Sequence, residues 1–177
     1  FRVNPNGSLT TLDVLETITG PVMSAIYTIP ASLNGVSLLS HTSKYHLKSV
    51  KNPLFNSMLI DSYDFSEGSA VTAYTLDPAS GSLNQIQEFT YKLTAPGTVP
   101  DRQDASHPHG TIVDPTGRFV LAPDLGMDQI HVFKISPSSG LLQPQKPLLV
   151  KPGSGPRHAV FWTPKPNVAS TDDTYLY

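Results

Sequence analysis

The sequence predicts an all-β fold assembled from a repeated unit of short strands, and three observations carry that prediction. Turn formers are abundant and charge is sparse: the 177 residues hold 17 prolines and 12 glycines, with only 15% Asp, Glu, Lys and Arg, against roughly 25% charged residues in an average globular domain. A hairpin-like motif occurs three times, as "FRVNPNGSL" (1–9), "YTLDPASGSL" (74–83) and "FKISPSSGLL" (133–142). Each copy runs aromatic, spacer, aliphatic, polar residue, Pro, and then a turn closed by Gly and Leu. Finally, "SAIYTIP" (24–30), "HGTIVDP" (109–115) and "HAVFWTP" (158–164) are three apolar runs that each end at Pro.

In the first motif Phe1, Tyr74 and Phe133 are equivalent, as are Val3, Leu76 and Ile135, and Pro5, Pro78 and Pro137. Apolar residues at a period of two mark a strand, and the Pro-to-Gly segment marks the hairpin that follows it. Between the two recurring elements lie "SMLIDSY" (57–63) and "RFVLAPD" (118–124), the latter led in by the turn "DPTG". Each unit therefore reads as about four strands, the content of a β-propeller blade.

The repeat step is 59 residues from Tyr74 to Phe133 and 49 from His109 to His158, with loop insertions absorbing the difference. A two-sheet sandwich also has regularly spaced short strands, but recurrence of the same elements in the same order favours the propeller. On this reading all 177 residues belong to one propeller domain. Residues 1–20 end one blade, 21–95 form a blade with an insertion at 31–52, 105–151 form a third, and 156–177 start a fourth. The insertion carries Lys44, Lys48, Lys51, His41 and His46 and reads as a mildly basic, solvated surface loop. A part-ring leaves strand edges open, so the chain is expected to be completed by the remainder of the propeller, in the same polypeptide or a complementary chain, and to be inactive alone.

Bulk properties narrow the partners. A formal charge of -2 from 12 basic and 14 acidic residues forms no block of either sign and provides no footprint for nucleic acid or an anionic membrane. No apolar run approaches the ~18 residues of a membrane span. The absence of cysteine excludes disulfides, thiolate nucleophiles and Cys-ligated metals without fixing the compartment. The chain starts at Phe1 without an initiator Met or a leader-like segment, so an earlier N-terminus is expected. Asn6-Gly7-Ser8 is a glycosylation pattern, slight support for secretion set against a cytoplasmic location. A small neutral or anionic ligand fits this balance best.

Innermost strands line a propeller's channel and the turns leading into them rim its mouth. The elements beginning at Ser24, His109 and His158 each follow a long connection and are expected to be innermost. "SHPHG" (106–110) places His107 and His109 two apart, on one side of an extended chain, with Pro108 stiffening the link. Two imidazoles with no third ligand nearby fall short of a metal signature. Hydrogen bonding to loop backbone and a binding or catalytic role remain open for the pair. In "GSGPRHAVFW" (153–162) His158 falls on His109 of the previous unit, and Arg157 falls on Pro108. Arg157 thus adds a fork of donors suited to a carboxylate, phosphate or developing oxyanion; bracing of neighbouring blades is the competing role. Asp124 is a candidate to orient a channel histidine or contact substrate, although capping of its own turn explains it equally well. His131, between Ile130 and Val132, reads as a structural strand residue. No G-x-S-x-G elbow, phosphate-binding Gly loop or H-E-x-x-H is present, which argues against a serine hydrolase, an NTPase and a zincin.

"SHPHGTIVDPTGRFVLAPDLGMDQIHVFKI" with its Gly-Leu hairpin, followed by "GSGPRHAVFW", resembles the lactonase-type seven-bladed propeller family. That family includes bacterial 6-phosphogluconolactonase and the fungal carboxy-cis,cis-muconate lactonizing enzyme. The resemblance is specific over 106–164, weaker over 1–30 and 57–91, and absent at 31–52. It implies that the chain supplies about three to three and a half blades of seven. It also implies that His109 and Arg157 are active groups, with a glutamate a few residues past Tyr177 and a second arginine in a later blade. "HPHG" and "GPRH" resemble the phosphogluconolactonase branch more, implying hydrolysis of a sugar-acid lactone without metal or cofactor. His109 would act as general base or acid, Arg157 as clamp, and His107, His158 and Asp124 as substrate contacts. A lactonizing cycloisomerase acting on a carboxylate, and a non-catalytic secreted or surface propeller that binds a partner, are the alternatives.

Overall fold

A computed structural model describes residues 68–77, 80, 82–162 and 174–177, together with Pro5 and Ser8 and the backbone of strand residues 2–3, 9–10, 22–27, 37–42 and 57–64. Every described element is a strand. β1 (Arg2–Val3) and β2 (Leu9–Thr10) form an antiparallel pair. A five-stranded sheet follows, in spatial order β3 (Val22–Tyr27), β4 (Ser37–Thr42), β5 (Ser57–Asp64), β6 (Gly68–Leu76) and β7 (Leu83–Tyr91). The next sheet comprises β8 (Ile112–Val113), β9 (Phe119–Asp124), β10 (Gln129–Ile135) and β11 (Leu142–Pro144) in order, with β12 (Leu148–Leu149) also pairing with β10. β13 (Phe161–Trp162) and β14 (Tyr175–Leu176) make the last antiparallel pair.

The three copies of the Pro-Gly motif connect β1 to β2, β6 to β7 and β10 to β11. In the third copy the Ser136 amide donates to Leu141 O at 2.9 Å and the Gly140 amide to Ser136 O at 2.8 Å. The second copy closes through the Asp77 amide on Ser82 O at 2.8 Å. One local sequence thus joins antiparallel neighbours in three sheets, the property that makes a propeller repeat. The "DPTG" turn works through Asp114, whose carboxylate accepts the amides of Thr116, Arg118 and Phe119 at 3.0, 2.8 and 2.6 Å and so starts β9.

Two expectations are corrected. Residues 37–42, read as part of a surface loop, form β4 and pair with β3 from Val22↔Thr42 to Tyr27↔Ser37; the run "SLLSHT" lacks the period-two alternation that marks a strand in sequence, while the rest of 31–52 lies outside the described residues. The strand expected over 109–115 is regular only at 112–113. Pro108 makes an isolated bridge to Asp124, and Ile112 pairs with Leu121, so four steps on one strand face three on the other. The one-residue slip interrupts the ladder, and Pro108 has no N–H to donate to it.

The core lies where the two large sheets face each other. Val71 and Ala73 of β6 meet Val120 and Ala122 of β9, Phe133 and Ile135 of β10, and Leu142 of β11, with Ile86, Phe89 and Tyr91 of β7 packed alongside. The Phe89 and Phe133 rings are 4.9 Å apart. Burial of the Phe133 side chain contributes about 1.5–3 kcal/mol. Gln87 adds a polar tie: its Nε2 donates to Leu142 O at 3.0 Å and its Oε1 accepts the Leu142 amide at 2.8 Å. β3 and β8, the first strands of the two sheets, lie beside one another.

Candidate functional site

The site is built around the end of β9 and the turn that joins it to β10, residues 123–128. Asp124, at its start, is fully buried. One carboxylate oxygen, Oδ1, accepts the amides of His107, Gly126 and Met127 at 2.8, 3.0 and 3.0 Å. The other accepts the Ser106 hydroxyl at 2.5 Å and lies 3.0 Å from His131 Nε2. Burial pushes this carboxyl's pKa up, but hydrogen bonds from His131 and Ser106, attraction by His131 and the His107 amide bring it below the usual carboxylate value. The His131 ring in turn stacks on Tyr91 with centroids 3.7 Å apart and planes at 20°. Gly126 is required because a Cβ there would sit 1.6 Å from Ala105 O.

This turn fixes the histidine segment. The Leu125 amide donates to His107 O at 2.9 Å and the His109 amide to Pro123 O at 2.7 Å. Gln103, also buried, donates from Nε2 to Leu125 O and accepts the Val99 amide on Oε1, both at 2.9 Å, so the irregular stretch 96–106 is stapled to the same turn. The His107 ring lies 2.9 Å from Asp104 Oδ1. The half-buried ring of His109 has its pKa lowered to about 4, by burial first and then by the positive charges of Arg157, His107 and His158, with Asp124 opposing.

Arg157 and His158 arrive from the following connection. The His158 ring stands 6.4 Å from that of His109, edge-on at 74°, and Arg157 and His158 are exposed. Their loop is held from the far end of the same turn by Asp128, a residue in the left-handed region at φ 49°. Its carboxylate accepts the Gly153 amide at 2.6 Å and the Gly155 amide at 2.8 Å, and its carbonyl accepts the Val150 amide at 3.0 Å.

The structure therefore brings His109, His158 and Arg157 together, with His107 next to them. It does not bring Asp124 to them as a substrate contact: the carboxylate is sealed from solvent, saturated by backbone and Ser106, and orients His131, not a channel histidine. Asp128, Gln103 and Asp104 were not expected at the site. Their partners lie in irregular backbone up to 27 residues away, which no periodicity reports; the only available signal was an Asp closing a Gly-containing turn.

Successive antiparallel sheets packed face to face, with imidazoles and a guanidinium on the segments that lead into β8 and β13, define a β-propeller with an anion-compatible site. Residues 56–177 match the family described as "Lactonase, 7-bladed beta-propeller", and the chain belongs to that family. It is 44% identical over 97 residues to a probable 6-phosphogluconolactonase of Arthroderma benhamiae, covering 54% of this chain and 24% of that protein. A 6-phosphogluconolactonase of Formosa agariphila is 37% identical over 103 residues, 52% of this chain and 29% of that one. One from Yersinia enterocolitica is 24% identical over 184 residues, 91% of this chain and 50% of that one. The chain thus spans half or less of these relatives' length. The periplasmic gluconolactonase PpgL of Pseudomonas aeruginosa has the same fold, with a TM-score of 0.53 at 21% identity, over 96% of this chain and 54% of that one.

Proposed function

We propose that the protein carrying this chain hydrolyses a sugar-acid lactone, with His109 as general base and Arg157 binding a substrate anion or the developing oxyanion. The observation that carries this reading is the setting of His109: its ring stands 6.4 Å from that of His158, and with its pKa lowered to about 4 its imidazole is in the neutral form that a general base requires. A water loses a proton to that imidazole as its oxygen bonds to the lactone carbonyl carbon. Negative charge then gathers on the carbonyl oxygen, where a guanidinium fork stabilises it. Collapse breaks the ring C–O bond, and the imidazolium returns its proton to the departing alkoxide, leaving an open hydroxy acid and a neutral His109.

The positive charges around His109 also explain how the base becomes effective. A substrate anion beside Arg157 and His158 offsets the part of the depression that these groups add to burial, which makes His109 a stronger base when substrate is bound. This favours an anionic lactone. The names of the curated relatives, 6-phosphogluconolactonases, support the hydrolytic reading over lactonization.

The test is hydrolysis by the complete polypeptide of phosphorylated and unphosphorylated sugar-acid lactones, with a muconate as control, beside His109→Ala and Arg157→Ala. Hydrolysis is expected with the phosphorylated lactone preferred, and with kcat/KM lowered about 100-fold or more by His109→Ala. Activity that survives both substitutions, or appears only on the muconate, overturns the assignment.

A further inference from the structure

The geometry points to Asp128 as a positioning residue that sets where Arg157 stands relative to His109; this rests on the proposed pairing of those two groups. His109 is tied by its own amide to Pro123 at one end of the β9–β10 turn. Five residues further on, Asp128 closes the same turn and holds the amides of Gly153 and Gly155 in its carboxylate. Arg157 lies two residues beyond the second of those amides. A single rigid turn thus gauges both partners, although they approach along different segments and belong to different sheets.

Three features make this a dedicated clamp. Asp128 carries the one positive φ among the described non-glycine residues, 49°, a conformation that Asp and Asn tolerate better than other side chains. It aims its carboxylate out of its own turn. The two amides it holds belong to glycines at φ 81° and 54°, a backbone that other side chains enter only with strain, so they face one carboxylate together. Gly155 is also confined from behind, since a Cβ there would lie 3.2 Å from Leu125 Cγ. The Ser154 amide and hydroxyl both donate to Lys151 O, at 3.0 and 2.5 Å, which stiffens the loop itself.

The charges around His109 provide a readout that does not depend on turnover. The groups acting on its ring are Arg157, His107 and His158, which lower its pKa, and Asp124, which raises it. If Asp128 acts only as a negative charge, neutralising it lowers the His109 pKa further. If it holds Arg157 in place, releasing the loop lets the guanidinium drift away and raises that pKa towards the ordinary value of about 6.5. The two explanations differ in sign.

The experiment follows the ring resonances of 13C-labelled histidine against pH in the complete polypeptide, for the native protein and for Asp128→Asn, Arg157→Gln and the double variant. Asp128→Glu, which keeps the carboxylate, stands in should Asp128→Asn not fold. The expected result is a raised His109 midpoint in Arg157→Gln, a smaller rise in Asp128→Asn or Asp128→Glu, and no further rise in the double variant. On the preferred lactone, kcat/KM of Asp128→Asn should fall about 10- to 100-fold, the scale of a displaced catalytic group, with the thermal midpoint little changed. A His109 midpoint that is unchanged or lowered in the Asp128 variant, or an equal rise with Arg157 already removed, overturns the positioning role. Failure of the native protein to open any lactone would sink the proposed activity and leave the titration result standing.

Discussion

Residues 107–113 and 156–162 are copies of one repeat element, yet the chain treats them differently. In the first, Pro108 is buried and bridged to Asp124, His109 is half-buried with its amide on Pro123, and Gly110 and Thr111 are fully covered. In the second, Arg157 and His158 are exposed, Val160 is 61% exposed and Trp162 52%, and the strand is paired through Val160–Tyr177 and Phe161–Leu176. Repeat equivalence places two imidazoles at corresponding positions and leaves their chemistry to the surroundings. The covered copy has its basicity depressed and its backbone fixed; the open copy places the Arg157 guanidinium where it acts on that ring.

The contrast is broken most severely at the turn that covers the first copy. Gly126→Ala drives a methyl group into Ala105 O and must part the 103–109 segment from the turn. A loss of about 4 kcal/mol or more is expected, read as a large drop in the urea midpoint of the complete polypeptide. Asp124→Asn should cost about 3–5 kcal/mol, as for one member of a buried pair removed from its partners. It also has a pH signature. Because the folded-state pKa of Asp124 lies below its unfolded value, the unfolded chain binds more protons in acid. The stabilisation is therefore complete above the ordinary carboxylate pKa and is lost as pH falls through the lowered one; urea titrations below pH 5 should show a flatter acid decline in Asp124→Asn.

The smallest effect sharpens the comparison. His158→Gln removes an exposed ring that stands edge-on to His109, so kcat/KM on the preferred lactone should fall less than about tenfold, whereas His109→Gln should cost about 100-fold or more. Equal losses at the two positions would mean that burial does not separate their roles.

The fold was legible because propeller hairpins are local: Pro, Gly and an alternating aromatic-aliphatic pair lie within about ten residues of one another, a span over which turn chemistry and strand periodicity act. The approach of the His109 and His158 rings was legible for the same reason, since a repeat carries equivalent positions to equivalent places. The parts that were not legible depend on contacts between segments. Asp124 and Asp128 sit four residues apart in one turn, and both look like turn caps. One is sealed under the histidine segment and the other reaches a loop 25 residues downstream, a distinction set by which neighbour packs on each side. β4 was missed because a strand supplied by an insertion has no counterpart in the other repeats.

Trp162 is the single tryptophan of the chain, half exposed, with its ring 5.8 Å from that of Tyr175. It lies four residues after His158, on the strand that continues directly from the site loop. Tryptophan emission from these 177 residues thus originates at one point, beside a phenol able to pass excitation to it and in contact with solvent. The molecule carries its own optical probe on the open copy of the repeat, and changes in the packing of that strand are readable as a shift in colour.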